Sequence, residues 1–270
     1  MKKVSEFILV LVFCTGAVFA TTTWVGPGDG LWTTPENWSS GQVPDAFTDV
    51  STWCSNGPDN VITVNSGDTA VCQDLYFAPD GRSSEMVING GTFTFRNMFA
   101  KIWDGATSGG KFTINGGVVS SVFDGNFGGR VHANYGSFPG STMTFTQNGG
   151  LFDLDDAFIF DNYGNGAVYN LNGGVFDAKY IATWNGDSSG INQINFKTNG
   201  GTLVLNSYGN FTIDLLPKGY ISIDGVRATD ESQFVLDWET YPNRVGISVI
   251  PEPATFVLMG IGALVFARKK

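Results

Sequence analysis

The chain has 270 residues, a formal net charge of −10 and a single histidine. An acidic surface repels nucleic acids and other polyanions, which argues against a DNA- or RNA-binding protein. Glycine makes up 36 of the 270 residues, nearly twice its average share of about 7%. Long helical patterns are absent, so the composition favours a β-rich, turn-rich chain.

The first 20 residues predict a secretory signal peptide. The basic residues Lys2 and Lys3 are followed by a short apolar region and then by a small-residue cleavage motif that ends at Ala20. We therefore expect cleavage between Ala20 and Thr21. The segment that follows would fold outside the cytoplasm.

Three tryptophans, Trp24, Trp32 and Trp38, alternate with glycines at the start of this segment. The pattern resembles the first coil of exported β-solenoid proteins, including autotransporter passengers. Exposed tryptophans would be suited to stacking on sugar rings, whereas buried ones would cover the open end of a β-helix. Because large aromatic side chains bury much area, the sequence favours the cap.

Cys54 and Cys72 are the two cysteines that remain after removal of the signal peptide. An even number of cysteines in an exported chain predicts a disulfide, and two buried free thiols are the alternative. The bridge would close a loop of about 18 residues and stabilise the fold by about 3 kcal/mol.

The motif Asn-Gly-Gly occurs five times and indicates an internal repeat of 24 to 33 residues. Its asparagines are Asn89, Asn115, Asn148, Asn172 and Asn199. Apolar residues alternate on both sides of each motif, which predicts two half-buried strands joined by a corner. The glycines would supply the positive φ that a sharp corner needs. Three positions before the last four asparagines stand Phe112, Phe145, Tyr169 and Phe196, and we expect these four side chains to form one interior file.

A second pattern, two strand-forming residues followed by Asp or Asn and a turn residue, follows the first four motifs. It comprises Ile102–Gly105, Val122–Gly125, Ile159–Asn162 and Thr183–Gly186. It predicts a third strand that ends in a turn. Each repeat would then hold three short strands.

A unit of about 25 residues with three strands resembles one coil of a right-handed parallel β-helix, in which stacked coils bury a continuous core. We predict this fold for residues 21–205, with a terminal β cap at residues 206–248. An antiparallel β-sandwich or meander is the alternative, since Asn-Gly between alternating runs is also a strong hairpin signal.

No residue is assigned a catalytic or metal-binding role. His132 stands alone in what reads as a loop, so it cannot form a histidine metal cluster. Asp153, Asp155 and Asp156 are the densest acidic cluster, which is compatible with a glycosidase pair or Ca²⁺ ligands but favours a solvated face. Threonines alternate at 92 and 94 and at 142, 144 and 146, but the other repeats do not keep this register, so an ice-facing ladder is not expected.

Residues 249–270, with the sequence VIPEPATFVLMGIGALVFARKK, form a three-part tail. The rigid Pro251-Glu252-Pro253 precedes an apolar run, and Arg268-Lys269-Lys270 end the chain. Prolines fix φ and remove donors, so a helix can begin only after them. The apolar run is short for a full span of about 20 residues, and the basic end would stay on the cytoplasmic side. We expect a short transmembrane helix.

This tail resembles the PEP-CTERM sorting signal of exported bacterial proteins, a region also catalogued as the ice-binding protein C-terminal domain. The resemblance implies recognition by a membrane-embedded exosortase near Pro251-Glu252-Pro253 and transfer of the upstream segment to the cell surface. It covers about twenty residues and implies nothing about the activity of the rest.

Together these features predict an exported protein that is held transiently in the cytoplasmic membrane and then reaches the cell surface or matrix. Its solenoid would be a structural or adhesive cargo without catalytic activity or cofactor, with exopolysaccharide as a further partner. The alternative is a polysaccharide-binding or polysaccharide-cleaving β-helix enzyme, because such folds often host these sites. Fold alone does not decide between the two.

Overall fold

The computed structural model describes residues 20–26, 28–52, 60–77, 84–100, 110–125, 128–133, 142–161, 166–184 and 192–251. Within these ranges the chain is mostly β-strand and winds into a β-solenoid of about six turns. Successive coils pair in parallel, which confirms the parallel β-helix and excludes the antiparallel sandwich or meander.

The described residues form twenty strands and a few short helical turns. The strands are β1 (Ala20–Thr23), β2 (Asp29–Leu31), β3 (Thr48–Ser51), β4 (Asn60–Val64), β5 (Thr69–Val71), β6 (Asp74–Phe77), β7 (Ser84–Phe95), β8 (Asn97–Ala100), β9 (Lys111–Ser121), β10 (Arg130–Ala133), β11 (Met143–Gln147), β12 (Leu151–Asp161), β13 (Ala167–Leu171), β14 (Val175–Trp184), β15 (Gln193–Phe196), β16 (Thr202–Leu205), β17 (Ile221–Ile223), β18 (Val226–Arg227), β19 (Phe234–Asp237) and β20 (Val245–Val249). The helical turns are Pro35–Asn37, Asn210–Leu215, Leu216–Lys218 and Glu231–Gln233.

The parallel strands stack into three sides, which we name A, B and C. Side A contains β2, β4, the first half of β7, the first half of β9, β11, β13, β15 and β17. Side B contains β5, the second halves of β7 and β9, the first halves of β12 and β14, and β16. Side C contains β1, β3, β6, β8, β10 and the second halves of β12 and β14. The five coils from β4 to β14 therefore have three strands each, as the repeat predicts.

The Asn-Gly-Gly motifs form the corner between sides A and B. Gly117, Gly150 and Gly174 have φ values of +79°, +73° and +75°, a backbone region that favours glycine. A Cβ added at Gly150 would lie 2.5 Å from the carbonyl oxygen of Gly117 in the coil below. The corner therefore requires glycine for its backbone angle and for the close approach of neighbouring coils.

A ladder of asparagine side chains runs along the outside of this corner. The Nδ2 atoms of Asn115, Asn148 and Asn172 each donate to the Oδ1 atom of the asparagine one coil earlier, at 2.8 to 2.9 Å. Asn89 continues the ladder to Asn65 at 3.5 Å. Asn65 was not among the predicted motifs because its corner reads Asn-Ser-Gly-Asp instead of Asn-Gly-Gly.

The predicted interior file is confirmed for three of its four members. Phe112 pairs with Phe145 and Phe145 with Tyr169, and all three are buried. Phe196 is also buried, but it pairs with Leu171 and lies in the neighbouring file, so this part of the prediction was wrong. The fifth corner contains two additional residues. The backbone N–H of Lys197 bonds to the coil below as that of Asn172 does one coil earlier, so Lys197, and not Asn199, occupies the first position of this corner.

The second pattern is confirmed for two of its four copies. Ile159–Asp161 and Thr183–Trp184 end the side C strands of β12 and β14. Val122 and Phe123 instead lie exposed in an excursion between β9 and β10, so the strand prediction there was wrong. Residues 102–105 lie outside the described ranges.

The tryptophan cluster covers the N-terminal end of the core. Trp24, Trp32 and Trp38 are at most 2% exposed, which favours the cap over sugar stacking. The indole N–H of Trp38 donates to the carbonyl of Trp32 at 2.8 Å, and the Trp32 ring packs edge-on against Phe93 at 5.2 Å. The cap is thereby continuous with the core of the coils.

The C-terminal end is closed by antiparallel strands and a π-helix. β20 pairs with β16 on one edge and with β19 on the other. On side C, the side-chain amide of Asn210 donates to and accepts from the backbone of Ile181, at 2.9 Å each way, and so occupies the open edge of β14. Covered edges prevent further strand pairing. None of the helices in the described part of the chain is long and apolar enough to cross a membrane.

Replacing Gly150 by alanine should destabilise the fold by about 3 kcal/mol, because the new Cβ adds a steric conflict to the cost of a positive φ. Gly67→Ala is the matched control. Its φ is +86° with no atom within 4 Å of the added Cβ, so we expect about 1 kcal/mol. Urea denaturation followed by far-ultraviolet circular dichroism measures both. Equal losses would show that the contact between coils does not constrain this corner.

Candidate functional site

The tail begins directly where the solenoid ends. Val249 is the last residue of β20, and the N–H of Ile250 still donates to the carbonyl of Gln233 at 3.0 Å. Pro251 follows and is exposed. The chain therefore leaves a packed strand within two residues and presents its backbone to solvent at Pro251.

The remaining tail residues of the sequence prediction lie outside the described ranges. These are Glu252, Pro253, Arg268, Lys269 and Lys270. The predicted transmembrane helix lies there too. At the other end of the chain, Ala20 and Thr21 are the first residues of β1, and the predicted signal peptide before them also lies outside the described ranges. The cleavage site stays a prediction.

The acidic cluster of β12 is bound into the structure of its neighbours. Asp156 pairs with Arg130 of β10 at 2.5 Å. The carboxylate of Asp155 accepts the N–H of Phe123 at 3.1 Å, which holds the excursion between β9 and β10 against β12. Asp155 is exposed, as a solvated face predicts, and both carboxylates also bind a neighbouring loop or strand.

Asp153 lies beside an ion pair that holds the C-terminal cap. It lies next to Asp177 in the register of β12 and β14, and the guanidinium of Arg244 forms a bidentate pair with Asp177. Arg244 immediately precedes β20, so this pair fastens the cap strand to side B. Burial raises the pKa of Asp153, and the charge of Asp155 adds to this, while Arg244 opposes it.

A further ionic group lies at the B–C corner and was not anticipated from the sequence. Arg96 makes two hydrogen bonds to Asp74, at 2.9 and 2.6 Å, and approaches Asp124 at 3.4 Å. Arg96 is 22 positions from Asp74 and 28 positions from Asp124 in the sequence. Both spacings are close to the repeat length, and this is the sequence signal from which the group could have been predicted. They tie three successive coils together. Among the described residues, no group of three His, Cys, Asp or Glu side chains is arranged to hold a metal ion.

His132 lies in strand β10, so its placement in a loop was wrong. Its ring stacks on Phe99 with centroids 5.1 Å apart, and Phe99 in turn stacks on Tyr76 at 5.4 Å. The three rings follow one outward-facing register of side C, which gives His132 a packing role.

The two groups of alternating threonines lie on different sides of the solenoid. Thr92 and Thr94 belong to side B, whereas Thr144 and Thr146 belong to side A. The residues paired with Thr92 and Thr144 in the next coil are both valines, Val118 and Val168. The threonines therefore do not form one regular array.

Cys72 lies between β5 and β6, and its thiol is buried. Burial raises the pKa of this thiol, and the charges of Asp74 and Asp49 raise it further. Its predicted partner, Cys54, lies outside the described ranges. The disulfide stays a prediction.

Comparison with protein families identifies a PEP-CTERM protein-sorting motif at residues 249–270, as the tail pattern predicted. Such a motif directs export and exosortase-dependent sorting toward the cell surface. The match begins at Val249, the last residue of β20, and so starts where the final strand of the solenoid ends. Curated proteins and solved structures provide no match to this chain.

The Asp153→Asn variant should raise the melting temperature at pH 7. The folded-state pKa of Asp153 is raised, so the folded protein binds this proton more tightly than the unfolded chain and loses stability as pH rises through that window. The variant removes that penalty, and the difference from the parent should disappear near pH 3, where the carboxyl is protonated in both states.

The control for Asp153 is Asp230→Ala. The pKa of Asp230 is lowered by the backbone N–H of Ser232, so its loss should reduce stability at pH 7. Calorimetric scans at pH 3 and pH 7 measure both variants. A lower melting temperature for Asp153→Asn at pH 7 would show that the attraction between the Asp153 carboxylate and Arg244 outweighs the cost of burying that carboxylate.

The Cys54–Cys72 bridge is tested by thiol labelling after denaturation, because the buried Cys72 would resist labelling in the native state whether bridged or free. We expect natively exported protein, unfolded in iodoacetamide without reductant, to carry no label at either cysteine. The same sample treated with reductant should be labelled at both. Labelling of Cys72 upon unfolding alone would contradict the bridge.

Proposed function

We propose that this protein is an exported cell-surface or extracellular-matrix component whose solenoid serves a structural or adhesive role. Its tail is the substrate of an exosortase-type membrane enzyme, and the chain is anchored in the cytoplasmic membrane until it is processed. The single observation that supports this most directly is the position of the sorting motif, which starts at the last residue of the closing strand.

The boundary suits a processing enzyme. A membrane protease or transpeptidase requires an extended, accessible backbone, and prolines at 251 and 253 keep a following helix from growing back into this stretch. Upstream of Pro251 the chain is held by hydrogen bonds on both edges of β20. The enzyme would therefore act beyond Ile250, and the folded solenoid would leave intact.

The contacts of the solenoid support a structural or adhesive cargo over a polysaccharide-cleaving enzyme. The tryptophans that could stack on sugars at the N-terminal end are buried in the cap. Asp155 and Asp156 hold a loop and a strand, and Asp153 lies at the pair that fastens the cap. A catalytic carboxylate pair would instead face a cleft open to substrate. We assign no catalytic role and no cofactor to this chain, and exopolysaccharide remains a partner to test.

Replacing Pro251-Glu252-Pro253 by three alanines should cause the chain to accumulate unprocessed in the cytoplasmic membrane, with the solenoid folded outside. The alanines would allow the helix to extend backward into the recognition site and would remove its one carboxylate. Membrane fractionation and intact mass measure the outcome, and the parent should yield a product that ends beyond Ile250.

Pro217→Ala is the control, because Pro217 is exposed in the C-terminal cap but lies outside the motif. This variant should be processed like the parent. If the triple-alanine variant were also cut and released normally, the tail would be a plain anchor and the sorting proposal would fail.

A further inference from the structure

A groove with an apolar lining crosses the B–C corner near the N-terminal end. It encloses about 340 Å³. One wall is Phe47, which precedes β3, and the other is Val122 in the excursion after β9. Its floor is formed by the ends of two neighbouring side B strands, at Val71 of β5 and Thr94 of β7. The walls are three strand spacings apart, about 14 Å between backbones, so the groove can hold more than one aromatic ring.

Phe47 projects into solvent from a rigid turn. Its side chain is 73% exposed, the highest value among the described large hydrophobic residues. The carboxylate of Asp45 accepts the N–H of Phe47 at 3.0 Å and the hydroxyl of Thr48 at 2.7 Å. The turn is therefore fixed before any partner arrives, which lowers the entropic cost of burying the ring.

The opposite wall is also held in place. The N–H of Val122 donates to the carbonyl of Phe95 at 2.9 Å, and the N–H of Phe123 donates to Asp155 at 3.1 Å. Both side chains remain more than 40% exposed. A large apolar knob and an apolar groove with fixed walls thus lie side by side on one surface.

This arrangement favours an apolar occupant over a glycan. A sugar chain needs many hydrogen bonds, whereas the Arg96 and Asp124 side chains at this groove are paired with each other. A knob beside a matching groove is the requirement for an isologous interface, in which the same patch on two copies is self-complementary. The negative charge of the whole chain disfavours contact over most of the surface, whereas the two charged residues at this patch, Arg96 and Asp124, offset each other.

We propose that two copies of this chain associate through this surface, with Phe47 of each copy seated in the groove of the other. Arg96 and Asp124 then lie at the rim as a pair of opposite charges that meets its counterpart across the two-fold axis. The proposed contact is centred on one aromatic side chain from each copy, whereas a standard interface buries about 800 Å² per partner, so we expect a weak dimer that forms where chains are concentrated. The proposal rests on the proposed function only for that setting, a crowded cell surface.

Sedimentation equilibrium of the purified full chain, in density-matched detergent with micelles in excess, tests the association apart from sorting. We expect a monomer–dimer equilibrium with a dissociation constant of about 10⁻⁵ M. Phe47→Ala should weaken it at least tenfold, since truncated aromatic anchors commonly cost that much and this one occurs twice. Its melting temperature should match the parent, because Phe47 is exposed.

Ile213→Ala is the matched control, since Ile213 is 71% exposed at the opposite end of the solenoid. It should dimerise like the parent. A second variant, Val122→Asn, keeps Phe47 and makes the opposite wall of the groove polar. It should also weaken the dimer, because each Phe47 then enters a groove that has lost one apolar wall.

Three results would overturn the proposal. They are a parent that stays monomeric at 100 μM, about ten times the expected dissociation constant, a dimer that Phe47→Ala leaves unchanged, and a dimer that Val122→Asn leaves unchanged. Failure of the sorting variant at residues 251–253 leaves these measurements unaffected, so the two proposals can fail separately.

Discussion

The close approach of backbones at the A–B corner is the constraint on which the solenoid depends. Neighbouring coils are separated by one strand spacing of about 4.8 Å. At Gly150 and Gly174 an added Cβ would meet the carbonyl oxygen of the coil below at 2.5 and 2.3 Å. Glycine at these positions lets sides A and B pair continuously around the corner, and the asparagine ladder on its outer surface ties one coil to the next.

The B–C corner varies in length between coils. The excursion between β9 and β10 accounts for much of the longest repeat spacing, and it is accommodated by pinning its backbone to Phe95 and Asp155. The fifth A–B corner also carries two extra residues, but it lies next to the closing strands, where only β17 must still follow in register on side A. An insertion at the A–B corner thus occurs where the regular stack is ending.

Charged side chains hold the peripheral parts in place. Arg96 links three coils, Arg130 fastens β10 to β12, and Arg244 fastens the closing strand to side B. A partly exposed ion pair contributes little to the free energy of folding by itself. Each of these arginines nevertheless joins two specific segments of the chain and so fixes their relative position. The acidic cluster of β12 takes part in this bracing, since Asp155 binds the excursion and Asp156 binds Arg130. The sorting motif begins where this bracing ends.

Much of the fold follows from local sequence. Five copies of Asn-Gly-Gly with alternating apolar flanks predicted the corner, the two strands around it and the interior file, because glycine geometry and side-chain alternation are properties of neighbouring residues. The sorting tail was also readable, because its prolines, apolar run and basic end stand in order within 22 residues.

Register and long-range pairing were decided only by the tertiary structure. Phe196 moved to the next file because two inserted residues shift the fifth corner, and a repeat count alone does not show which side of the motif absorbs them. His132 was read as part of a loop because its strand is recognisable only by its pairing with Phe99 and Ile159. The roles of Asp153, Asp155 and Asp156 depend on Arg244, Phe123 and Arg130, which are brought to them by the winding of the coils. The sequence by itself determined the corners and the tail, whose signals are local, whereas the partners of each charge came from the stacking of coils that lie 22 or more residues apart.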